Sequence, residues 1–224
     1  MHFMQLLRTL DEFLYEVMSW LVFYPITLWR TIARPLGMMD YADTELGDRP
    51  EQQYADTLPP PLFLLLTLLL SHAIELALVG QNPLVEDTKG LSELVHDDTS
   101  LLILRLLLFS LPPLIMAVRL VRAQKVGLTR DTLRLPFYSQ CYIAAPFALV
   151  LGIATIMARL PSAWAEVVML GIVLIVFDFL WYGVVQARWF AAKLNVSILR
   201  GFGMATVGMI QSVAVFVILG SLLA

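Results

Sequence analysis

Five runs of about twenty predominantly apolar residues constrain this chain more than any other feature, because a helix needs that length to cross a hydrocarbon core roughly 30 Å thick. They fall near 61–79, 101–121, 139–160, 164–185 and 202–223. Of the 224 residues, 59% are hydrophobic and only 15% are charged; a soluble domain carries roughly 25% charge. The fold class expected is therefore all-α, a polytopic helical membrane protein of five spans. The formal net charge of −3 comes without a basic patch, so no nucleic-acid partner is expected. Cys141 is the single cysteine, which excludes an internal disulfide and a thiolate metal cluster. It reads as a small apolar packing residue. The N-terminus carries Asp11, Glu12 and Glu16 and lacks a small-residue cleavage site, so a signal peptide is not expected.

Residues 1–34 read as a separate amphipathic unit. Gln5, Arg8, Glu12 and Glu16 recur at steps of three and four, with Leu6, Leu7, Leu10, Phe13, Leu14 and Val17 on other faces. From Val17 to Trp29 the chain is nearly all apolar, with Trp20, Phe23, Tyr24 and Trp29 among its aromatics. That stretch is too short to span, and Pro25 should break or kink it. An interfacial or shallow re-entrant helix is expected, its aromatic rings at headgroup level. The rival reading is a sixth, tilted span from Leu14 to Ile32. Residues 35–60 hold Asp40, Asp43, Glu45, Asp48, Glu51 and Asp56 against one base, Arg49, and Pro59, Pro60 and Pro61 then stiffen the entry to the first span. They read as an acidic cytoplasmic linker, a solvated loop, with a docking strip for a partner as the alternative.

The positive-inside rule sets the orientation. Arg8, Arg30, Arg34 and Arg49 precede the first span; Arg119, Arg122, Lys125, Arg130 and Arg134 surround the loop after the second; Arg188, Lys193 and Arg200 follow the fourth. Only Lys89 and Arg159 lie on the other side, where the 80–100 loop is acidic. The N-terminus is therefore expected in the cytoplasm and the C-terminus outside, in a cell's inner membrane.

Polar groups inside a bilayer are costly and ask for a reason. Glu75 and Arg105 each lie about four residues, roughly 6 Å, inside the outer end of antiparallel neighbouring spans, so an ion pair is expected. His72 sits one turn below Glu75 on the same face. The group reads either as a structural clamp or as an ion or proton site. Asp178, Tyr182 and Gln186 form a stripe at i, i+4 and i+8 that descends towards the cytoplasmic surface, and Gln211 falls at a comparable depth. There the choice is between an interhelical hydrogen bond from Asp178 to a Tyr or Gln and the floor of a water-filled, inward-open cavity. Small residues at steps of three and four mark helix-packing faces: Ala144, Ala148 and Gly152 in one span, Gly201, Ala205, Gly208 and Ser212 in another. They leave open whether the contact is within a chain or between chains. Pro112 and Pro113, in the middle of the second span, are expected to break or kink it. No nucleophile elbow, phosphate loop or Cys/His metal motif occurs, so neither an enzyme nor a cofactor is expected.

A cytoplasmic segment leading into Pro59-Pro60-Pro61-Leu62-Phe63, five closely spaced hydrophobic segments and a chain ending with the last of them resemble the YIP-type family of five-span membrane proteins and its bacterial relatives, some of them labelled permeases. The resemblance covers residues 58–224 and is one of architecture. The family's Asp-Leu-x-Gly-Pro motif is absent, Tyr182-Gly183 echoes its Tyr-Gly pair, and no functional residue is carried over. It implies a role in membrane trafficking, membrane shaping or the support of other membrane proteins. The function expected is thus non-enzymatic, exercised through lipid, another membrane protein or a second copy of the chain. The alternative is a small transporter or channel subunit whose polar intramembrane residues line a cavity.

Overall fold

The computed structural model describes residues 2–49, 52–79, 98–159 and 164–223. It contains seven helices and, among these residues, no strand: α1 His2–Ala33, α2 Pro35–Glu45, α3 Pro60–Val79, α4 Asp98–Ala123, α5 Arg130–Arg159, α6 Ala165–Leu194 and α7 Ile198–Leu223. Helices α3 to α7 each hold a stretch long and apolar enough to cross a membrane. Most of the acidic 80–100 segment, with Lys89 and His96, lies outside the described residues.

Helix α5 is the centre of the bundle. From Ser139 to Ala148 every residue is buried, and a helix enclosed on all sides is the mark of a core element. It packs against α2, α3, α4 and α6, and α7 closes the bundle against α6 and α4. By contrast, α6 and α7 present Ile172, Val176, Leu180, Ile210 and Val217 outward, an apolar surface suited to lipid. Small residues allow close approaches between helices. A Cβ at Gly201 would strike the α6 backbone at Ala187 and Ala191, and one at Gly152 would strike the Ser71 hydroxyl. Gly208 lies under Met116, and Ala144, Ala148, Ala205 and Ser212 are buried. Gly171, which the small-residue steps did not include, lets α6 meet α5: its Cβ would lie 2.8 Å from the Ala154 carbonyl.

Three expectations are corrected. Pro25 does not break α1, which runs as one 32-residue helix. A proline removes one donor, and the turns on either side keep the helix intact. The break comes instead at Arg34, held at φ −139° because the following Pro35 disfavours the helical conformation in its predecessor. Pro112 and Pro113 likewise sit inside an uninterrupted α4. Both are buried against neighbouring helices, and spans tolerate proline when the surroundings re-satisfy the backbone.

The third correction concerns residues 35–60, which are not a solvated loop. Pro35 opens α2 at a position where its missing N–H is no loss, and Met38, Met39 and Ala42 are buried. Tyr54 and Leu58 are buried as well and join the cluster built on Phe63, Tyr142 and Ala145. The acid-rich composition does not show this because composition averages over faces, whereas the apolar residues fall on one face and find α5. The spans are also longer than their apolar cores: α5 begins at Arg130 and α6 runs on to Leu194.

Candidate functional site

The polar groups separate into three levels of the bundle. At the end away from α2, Arg105 on α4 donates through Nη2 to Glu75 Oε2 on α3. Its Nη1 lies 3.3 Å from His72 Nδ1. Arginine offers only donors, so a hydrogen bond there has His72 Nδ1 as its acceptor; His72 Nε2 is buried without a partner. Both charged side chains are about one-fifth exposed, so the pair is partly open at the rim of the bundle.

At the middle level, Asp178 is 3% exposed and its Oδ2 has no hydrogen-bond partner. The expected bond to a Tyr or Gln does not form. The Tyr182 hydroxyl, one turn away, is buried, and Gln186 on its own helix is the polar side chain it interacts with. Gln186 does not continue a wet stripe to the surface. It is fully buried and forms a reciprocal amide pair with Gln140 on α5, at 2.8 Å and 2.6 Å. Gln211 is exposed and accepts from Arg119 Nη1 at 3.1 Å, away from Asp178.

A cavity of about 330 Å³ lies between α4, α5, α6 and α7. Phe109, Phe147, Leu151, Phe179 and Phe216 dominate its walls, with Tyr182 and Ser212 as its polar side chains. The Ser212 hydroxyl is already used, donating to the Gly208 carbonyl. Asp178 is not part of the lining. A cavity so lined favours apolar occupants over water.

The α2 end carries the densest polar network. Lys193 Nζ, at the end of α6, bridges Asp40 at 2.7 Å and Asp43 at 2.8 Å. Asp43 also accepts from the Ser139 hydroxyl at 2.6 Å, which ties α2 to α5. Beside it, Asp56 accepts from Arg30 and from the Tyr41 hydroxyl, each at 2.7 Å. These bonds hold the Asp56 carboxyl below the ordinary carboxylate range. Thr57 and the Leu58 carbonyl then meet the Tyr142 hydroxyl, and the Leu58 N–H donates to Thr27. None of these partners was assembled from the sequence; the i, i+3 spacing of Asp40 and Asp43 after Pro35 is the signal that could have placed them on one helix face. Among the described residues no group of three or more His, Cys, Asp and Glu side chains is placed to hold a metal ion.

The chain matches no family model, no curated protein and no solved structure.

Proposed function

We propose that this is a non-enzymatic integral protein of a cell's inner membrane that acts through lipid or a second membrane protein, as a shaping, assembly or accessory component. The observation that carries the proposal is α1. Every residue from Thr9 to Glu16 is exposed, and Leu10, Phe13, Tyr15, Met18, Leu21 and Val22 remain at least half exposed along a helix whose other half is anchored in the bundle. Trp20, Phe23, Tyr24 and Leu28 provide that anchor by packing on the α3–α5 cluster. An apolar surface of this extent marks a lipid or protein contact. Lipid covers it if α1 lies in the headgroup layer; a partner, another membrane protein or a second copy, covers it otherwise. The architecture shared with YIP-type proteins supports the same class of role. The distribution of basic residues favours a cytoplasmic α1 and α2 and an external end of α7.

Particle mass and lipid content in mild detergent test the proposal. More than one chain per particle, a co-purified membrane protein or retained lipid is expected. Phe13→Glu with Met18→Glu should reduce that association while leaving the thermal unfolding of the five-span bundle unchanged. A lipid-free monomer would overturn the proposal.

A transport role is the second reading, favoured by the unpartnered Asp178 Oδ2 at mid-bundle. It requires a polar path to Asp178, and the apolar cavity beside α6 does not include that residue in its lining.

A further inference from the structure

A second hollow, about 520 Å³, opens along the seam between α4 and α7. Its walls are of two kinds. Leu114, Ile115, Val118 and Met204 make an apolar trough, and Arg119, Arg122 and Gln211 stand in it as the polar side chains. The arginines are three residues apart, hence neighbours on one helix face. Gly208 is why the seam holds Arg119 where it does. A Cβ there would lie 2.6 Å from Met116 Sδ and 3.2 Å from Arg119 Cδ, so any larger residue would make both side chains shift. The stem turns the guanidinium towards Gln211, and its Nε is buried without a partner. Among the described residues neither arginine meets a carboxylate, and no acidic side chain lines the hollow.

We propose that this α4–α7 groove binds an anionic glycerophospholipid, its phosphate on Arg119 and Arg122 and one acyl chain along Leu114, Ile115, Val118 and Met204. Uncompensated guanidiniums at the margin of an apolar segment call for an anion, and phosphate suits their planar, multi-donor shape. Arg119 is four residues from the end of α4, roughly 6 Å along the axis at 1.5 Å per residue, just inside the rim of a span ending at Ala123, and Arg122 lies at the rim itself, within reach of a headgroup. The trough runs from there towards the middle of the span, the direction an acyl chain takes. A free phosphate would satisfy the arginines and leave the trough empty; a diacyl lipid fills both. Basic recesses between spans on the cytoplasmic side are the general form of such sites. The inference rests on the reading of α4 and α7 as membrane spans and is independent of what α1 contacts.

The test is native mass spectrometry of the full chain released from mild detergent, titrated with dioleoyl phosphatidylglycerol and, separately, with dioleoyl phosphatidylcholine. Phosphatidylglycerol should be retained more tightly. Arg119→Gln with Arg122→Gln should weaken it roughly thirtyfold, the effect of losing two basic contacts at a membrane surface. Val118→Trp keeps both arginines but fills the trough, and it should also lose the lipid. Equal retention of the two lipids would overturn the proposal, as would phosphatidylglycerol binding that survives either variant. Displacement of the lipid by inorganic phosphate at matching concentration would show a soluble-anion site and overturn it as well. Each chain is checked for recovery in the bilayer fraction before extraction. A wild-type chain absent from that fraction would refute the spans themselves, whereas loss of lipid preference in an inserted chain refutes the groove alone.

Discussion

Replacing Gln140 with Leu should destabilise the bundle, and replacing Gln186 as well should restore much of the loss. The two amides are fully buried and exchange two hydrogen bonds, 2.8 Å and 2.6 Å long, between α5 and α6. Leu at position 140 is close in volume to Gln, so no large cavity opens. What remains is the Gln186 carboxamide with neither donor nor acceptor satisfied inside a helical bundle. Orphaning a buried polar group costs about 1–3 kcal/mol in soluble proteins, whereas interhelical hydrogen bonds in a membrane average about 0.6 kcal/mol each. Two bonds and one stranded amide therefore give a loss of roughly 1–4 kcal/mol for either single variant. At about 2–4 °C per kcal/mol for a chain of this size, the melting temperature in detergent should fall by roughly 2–15 °C. Gln140→Leu/Gln186→Leu removes the stranded group and leaves two leucines facing each other, so the double variant should lie well above the sum of the singles. The measurement is thermal unfolding of all four chains in one detergent, followed by circular dichroism at matched concentration. Strict additivity would show that the amides do not meet; two silent single variants would show that water reaches them.

Three further predictions follow from the same geometry. Glu75→Ala and Arg105→Ala should each lower thermal stability in detergent, and the double variant should be less damaged than the two losses added together, because breaking a pair strands one charge; additivity in this cycle would deny the contact. Asp56 has a folded-state pKa below its unfolded one, owing first to the Arg30 and then to the Tyr41 hydrogen bond. Its contribution is therefore full above the ordinary carboxylate range near 4 and is lost as pH falls through the lowered value. Since both side chains of the Arg30–Asp56 pair are about half exposed, that contribution stays under about 1 kcal/mol. It should be absent in Asp56→Asn and shrink in high salt, and an unfolding pH profile unchanged by the substitution would remove it. For orientation, reporter fusions at residues 127 and 195 should read as cytoplasmic and one at residue 90 as external. An external signal at 127, within the strongest basic cluster, would reverse the topology.

The class of fold and the five apolar helices were legible in the sequence, because hydrocarbon thickness imposes one length on every helix that crosses it and no packing detail can alter that requirement. The sequence also brought Glu75 and Arg105 together, since equal depth on consecutive antiparallel spans leaves few other partners for either charge. Tertiary structure decided whatever depended on which faces meet. The polar stripe of Asp178, Tyr182 and Gln186 shares one helix face, but its rotation against α5 places Gln186 on Gln140 and leaves Asp178 Oδ2 unpartnered. The acidic composition of residues 35–60 pointed to a solvated loop because composition averages over faces; the fold sorts them, turning Met38, Met39 and Ala42 to the core while Asp40 and Asp43 reach Lys193. The prolines were expected to break or kink their helices because they remove donors, and α1 and α4 run unbroken through Pro25, Pro112 and Pro113. A local rule states what one residue withdraws from the helix, and the neighbouring turns and helices decide whether the helix survives the withdrawal.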